Sequence, residues 1–67
     1  MSPQRLGTVL KQLREKRGLT QQALAKRAGI AQGYLSELEA GREKNPGIET
    51  LRKLAKALKV SLIELVK

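Results

Sequence analysis

The chain contains no cysteine, histidine, aspartate, tryptophan or phenylalanine. Without cysteine there can be no disulfide, thiolate zinc site or cysteine nucleophile. Without histidine there is no imidazole metal ligand and no histidine-based acid–base catalysis. Every acidic residue is a glutamate, and Glu37 and Glu39 stand two apart, so on a helix they face away from each other. There is no glycine-rich phosphate loop. These absences argue against an enzyme and leave no expected metal or cofactor, and no small-molecule ligand is evident. Tyr34 is the lone aromatic. Modules that read RNA or single strands stack bases on several aromatics, so duplex DNA, read through phosphates and base edges, is the better fit. Long hydrophobic runs are missing too. The most apolar stretch, Val60 to Val66, is interrupted by Ser61 and Glu64, and the start Met1-Ser2-Pro3-Gln4-Arg5 has no apolar signal core. No membrane span is expected, and a cytoplasmic protein fits.

What remains is short and basic. Sixty-seven residues allow a single domain over 1–67, which buries only about 60% of its unfolded surface. With 40% apolar and 30% charged residues, wholesale disorder is not expected. The net charge is +8 and the isoelectric point about 10.5. In a small domain this is the electrostatic footprint of a nucleic-acid binder, with a basic membrane-surface helix as the rival explanation.

The apolar periodicity is helical throughout. Leu6, Val9, Leu10 and Leu13 form one stripe between Pro3, which suits a helix start, and Gly18, which suits a stop. The first helix is therefore expected over roughly 4–16. Thr20 is an N-cap for a second helix of about two turns that Gly29 ends, with Leu19 and Leu24 at hydrophobic-staple spacing. A third helix follows over roughly 32–40, with Ile30 and Leu35 as its staple, Leu38 continuing its buried face and Gly41 as its stop. Its start makes two concessions. Ala31 is a poor N-cap, and a helical Gly33 costs about 1 kcal/mol against alanine, which fits either a close approach to something there or a tolerated imperfection. After a polar loop from Gly41 to Gly47, the apolar spacing of Ile48, Leu51, Leu54, Ala55 and Leu58 gives a fourth helix over roughly 48–58. Ser61-Leu62-Ile63-Glu64 is a capping box, with Val60 and Leu65 as its staple, opening a short fifth helix over roughly 62–66.

A short helix, a tight turn holding Gly29 and a second short helix, with Ala25 and Ala28 small enough for a close crossing, fit a helix-turn-helix and, by themselves, a generic helical hairpin equally. At this point the sequence resembles the Cro and lambda-repressor-like helix-turn-helix family, also called the XRE family. The resemblance rests on Leu10-Lys11-Gln12-Leu13-Arg14, Gly18-Leu19-Thr20-Gln21, Leu24-Ala25 with Ala28-Gly29-Ile30, Tyr34-Leu35-Ser36 with Leu38-Glu39, Gly41-Arg42, and the tail from Pro46 to Leu58. It implies an all-α, five-helix lambda-repressor-like DNA-binding domain with the helix-turn-helix formed by helices 2 and 3. It further implies a sequence-specific transcriptional regulator, a homodimer on palindromic double-stranded DNA.

The resemblance also implies roles. Gln21 looks like the phosphate clamp at the start of the second helix. Gln32, Gly33 and Glu37 fall at base-reading positions, where glutamine can bond adenine, while Glu37 either accepts from cytosine or discourages wrong sequences. Tyr34 and Ser36 lie near the backbone or groove wall, unless Tyr34 packs on the core edge. Arg42, Lys44 and Asn45 lie in the loop that follows the phosphate backbone, and Arg14 and Glu39 resemble an ion pair joining the first and third helices. Three positions depart from the family. Gly33 removes a side chain that often reads bases. Lys59 replaces a glycine and must take a left-handed conformation. Ile63 replaces an acidic residue and, with Val66, is expected in a dimer contact. Rival readings are an antitoxin or restriction-controller component, and an interaction adaptor that keeps the fold without binding DNA.

Overall fold

A computed structural model describes residues 2–67. Five helices follow one another: α1 (Pro3–Lys16), α2 (Gln21–Ala28), α3 (Gln32–Glu39), α4 (Ile48–Leu58) and α5 (Leu62–Val66). The first begins one residue before the expected start, because Ser2 caps it and its hydroxyl accepts from the Arg5 amide at 3.0 Å. The third ends one residue earlier than expected. Ala40 closes it and Gly41 then turns away at φ +77°.

The helix starts work as the sequence suggests. The Thr20 hydroxyl accepts from the Ala23 amide at 3.0 Å. Ahead of α2, α3 and α5, the staple residues Leu19, Ile30 and Val60 lie half-buried on the core, while their partners Leu24, Leu35 and Leu65 are buried almost completely. Both members of each pair thus join the same core, as a hydrophobic staple requires. At the fifth helix the Glu64 carboxylate accepts from the Ser61 amide at 3.1 Å, the return half of the capping box.

The core is built almost wholly of leucine and alanine. Leu6, Leu10, Leu24, Leu35, Leu38, Leu54, Leu58 and Leu65 are its large members. Leucine is unbranched at Cβ and favours helices, so one residue type serves both local propensity and packing. α1 packs against α3, α2 against both α3 and α4, and α5 against α1 and α4. Ile48 departs from expectation. It is 51% exposed, because it is the first residue of α4 and projects past the edge of the core.

One core position escaped the sequence reading. Gly7 is buried on α1, and a Cβ built there would lie 2.5 Å from the Glu39 carbonyl oxygen and 2.6 Å from that of Leu38. Glycine here is what lets α1 touch the C-terminal backbone of α3. Lys59 behaves as anticipated, ending α4 in the left-handed region at φ 58°.

Candidate nucleic-acid interface

The site is organised by one buried side chain. Arg14 projects from the last turn of α1 with only 11% of its side chain exposed. Its Nε donates to Glu39 Oε2 at 2.7 Å and its Nη2 to Glu39 Oε1 at 3.0 Å, a two-pronged pairing of guanidinium and carboxylate. Its Nη1 donates to the Leu19 carbonyl at 2.8 Å. A single guanidinium thus ties α1 to the last residue of α3 and to the turn that enters α2. The hydrogen bond to Glu39 raises the Arg14 pKa above its ordinary value despite partial burial.

Gln21 completes the network. Its Nε2 donates to Glu39 Oε1 at 3.0 Å, so Glu39 holds the first side chain of α2 as well as Arg14. The backbone amides of Gln21 and Gln22 sit in the first helical turn and have no carbonyl four residues back to bond. Lys11, Arg14, Gln21, Ser36, Glu39 and Ala40 line an open cleft of about 270 Å³ here. Lys11, the Ser36 hydroxyl and the helix-start amide of Gln21 are donors a phosphate oxygen can use, beside a Glu39 carboxylate whose charge Arg14 and Gln21 already engage. Lys11 is a member that the sequence reading left without a role. Its position three before Arg14 on one helix was the available signal.

Gln32 and Gly33 are exposed at the start of α3. The concession at Gly33 finds no cause inside the molecule, since a Cβ there would meet nothing within 4 Å. The smooth spot opens outward, on the face α3 presents to solvent. Ala31 makes no side-chain cap hydrogen bond, so the α3 start keeps its amide donors. Ser36 is half-buried at the cleft, and Tyr34 is half-buried with its ring packed on the core edge.

Two residues with separate expected tasks lie in contact. Arg42 Nε donates to Glu37 Oε2 at 2.6 Å and Nη2 approaches Oε1 at 3.4 Å, with 64% and 49% of the two side chains exposed. Arg42 draws the Glu37 carboxyl below its usual range through that hydrogen bond, and Glu37 raises the Arg42 pKa in return. Lys44 and Asn45 are exposed further along the loop, where the Asn45 amide donates to Glu43 Oε1 at 3.2 Å.

The surface expected to meet a second copy is divided. Ile63 is 64% exposed, whereas Val66 is half-buried against the chain's own core. Among the described residues, no three metal-ligating side chains cluster and no helix is long and apolar enough to cross a membrane.

Comparison with known proteins gives this arrangement a lineage. The chain is 49% identical over 61 residues to an uncharacterized HTH-type transcriptional regulator, y4dJ, of Sinorhizobium fredii, covering 91% of this chain and 78% of that one. It is 39% identical to the HTH-type transcriptional regulator SinR of Bacillus subtilis, covering 85% of this chain but only 51% of SinR. Among solved structures it superposes on the restriction-modification controller protein C.AhdI of Aeromonas hydrophila with a TM-score of 0.90, at 33% identity over 94% of both chains. It superposes on SinR in complex with DNA with a TM-score of 0.89, at 37% identity over 92% of this chain and 98% of that one. The family model described as helix-turn-helix matches residues 10–65, which take in the buried network, the second half of α1 and all of α2 and α3. The chain belongs to the helix-turn-helix family.

Proposed function

We propose that this chain is a cytoplasmic, sequence-specific regulator of transcription that binds double-stranded DNA as a homodimer. The observation that carries the reading is the Arg14–Glu39–Gln21 network, which joins the end of α3 to the first side chain of α2. It sets the reading helix against the anchoring one before any DNA arrives. In this reading the cleft at Gln21, with Lys11 and Ser36, receives a phosphate. α3 enters the major groove with Gln32 forward, and Gly33 leaves its backbone room to approach the base edges. Arg42, Lys44 and Asn45 follow the flanking strand. Glu37, already occupied by Arg42, acts mainly by repelling poorly placed phosphates and by holding Arg42 in register.

The +8 charge supports steep dependence on salt. If each protomer engages about four to five phosphates, the log–log slope of affinity against salt is expected near −7 to −9 for a dimer. Mobility shifts on a random duplex over a salt series measure it, and a slope near zero rejects the reading. Arg42→Ala should weaken all duplexes alike and flatten the slope. Gln32→Ala should instead relax preference at particular bases in a random-oligonucleotide selection, at about 1–3 kcal/mol for a bidentate contact.

The dimer contact is assigned to Ile63, with Val66 at most a rim residue because its own core claims half of it. Burying one isoleucine contributes only about 1.5–3 kcal/mol per side, so association should depend on concentration and on half-sites about 34 Å apart. Ile63→Lys should leave the fold intact and abolish cooperative binding to a full site, as followed by sedimentation and gel shift. A restriction-controller role is the second reading. It is favoured by the match to C.AhdI, which spans 94% of that chain.

A further inference from the structure

We propose that the cationic depression between the C-terminal half of α2 and α4 is a docking site for an acidic peptide segment of a partner protein. Arg27, Lys53, Lys56 and Lys59 surround a floor formed by Ala28 and Ala57, enclosing an open volume of about 490 Å³. None of the six glutamates lines it. The ion pairs among the described residues are Arg14–Glu39 and Arg42–Glu37, so all four of these cations lack an anionic partner.

Helix dipoles account for part of this cluster. Arg27 and Lys56 lie in the last turns of α2 and α4, where cations are favoured for structural reasons alone. Lys53 lies mid-helix and has no such reason. Lys59 has a reason against it, since the left-handed backbone at φ 58° suits glycine better than any residue with a side chain. A position that breaks a local rule while adding a fourth amine to the rim points to use of that amine.

The floor discriminates among anions. Ala28 and Ala57 offer methyl groups, and lysine stems extend the apolar surface up the walls. A chain of phosphates has nothing to place against methyls. A peptide that carries glutamates with small apolar residues between them matches both floor and rim. The location also separates this site from the proposed DNA surface. Gln21 starts α2 and the depression lies at its other end, roughly 10 Å along the axis. A partner could therefore be held while α2 and α3 are engaged.

The test uses a fluorescein-labelled synthetic peptide of repeating Glu-Glu-Ala, followed by anisotropy with the intact chain. Saturable binding is expected, and Lys53→Glu/Lys56→Glu should weaken it by about tenfold, because two exposed ion pairs are lost and two like-charge contacts replace them. Lys16→Glu/Lys67→Glu makes the same change in net charge away from the depression and should shift it by less than about twofold. Both variants change exposed side chains, and circular dichroism melting confirms that each keeps the fold. Equal losses in the two variants would reduce the effect to net charge and overturn the proposal. So would absence of saturable binding by the unaltered chain. Displacement of the peptide by inorganic tripolyphosphate at lower charge-equivalent concentration would reassign the depression to phosphates. Loss of duplex affinity in Lys53→Glu/Lys56→Glu, beyond that in the charge-matched variant, would reassign it to the DNA surface.

Discussion

The two ion pairs of this molecule have the same chemistry and opposite settings. Arg14–Glu39 is walled in by α1, α2 and α3, with 11% and 4% of its side chains exposed. Arg42–Glu37 stands in solvent at the end of α3, with 64% and 49% exposed. Water competes for the second pair at every moment and salt screens it. The first has given up its water, so each partner depends on the other and on the further bonds to Leu19 and Gln21. In the proposed reading, the first pair fixes the geometry of the helix-turn-helix and the second can exchange its partner for a phosphate. The same α3 thus carries a rigid end at Glu39 and an adaptable contact at Glu37, two residues apart.

Removing one buried partner should break this contrast most severely. Glu39→Ala leaves Arg14 unpaired in a largely buried position and should cost about 3 kcal/mol or more in urea unfolding. Arg14→Met/Glu39→Leu should cost less than either single alanine change, because two apolar side chains leave no orphaned charge. A stable double variant that has lost sequence preference would show that the pair serves orientation more than stability. A cost for Glu39→Ala no larger than that for Glu37→Ala would erase the distinction drawn here.

Gly7→Ala tests the same end of α3 through packing. Alanine would gain up to about 1 kcal/mol of helix propensity. The contacts it creates are with backbone carbonyl oxygens at 2.5 and 2.6 Å, which cannot rotate aside. Overpacking of this kind costs about 1–3 kcal/mol, so net destabilisation is expected, with α3 displaced and DNA affinity reduced together. Unchanged stability would mean that α1 and α3 move apart at a cost no larger than the helix propensity gained.

Lys59→Gly should move stability the other way, by about 1 kcal/mol, which for a domain of this size raises Tm by roughly 4–8 °C. It relieves the one left-handed non-glycine residue among those described. A melt that does not rise would mean that the lysine side chain repays its backbone strain.

The smallest effect concerns the exposed pair and pH. The Arg42 hydrogen bond holds the Glu37 pKa below its ordinary value, so the pair's contribution is present above the usual glutamate range and is lost as pH falls through the lowered value. Arg14, whose pKa is raised, keeps its charge throughout this range and loses it only well above neutral pH. Carboxyl NMR should find Glu37 titrating at higher pH in Arg42→Ala than in the unaltered chain. Identical titration would mean that the pair is open in solution.

Much of this molecule was legible in its sequence. The leucine stripes, the Thr20 cap, the staple pairs and the glycines at 18, 29 and 41 specify the helices because each acts within a turn or two of chain, through forces that do not depend on the rest of the fold. The left-handed Lys59 and the exposed Ile63 were legible for the same reason, since position within a helix determines both. What only the tertiary structure decided involves groups far apart in the chain. Arg14 and Glu39 are separated by 25 residues and Gln21 and Glu39 by 18, and no local rule gives the distance at which they meet. Gly7 reads as a defect in α1 until the α3 carbonyls are seen against it. Ile48 reads as core until the end of α4 is seen to overhang. Arg27 and Lys53 carry no sign of sharing a depression until α2 and α4 are packed. Helix propensity and capping are short-range free energies that sequence alone determines. Contacts across the core depend on how the helices cross, and that is settled only when all five are packed at once.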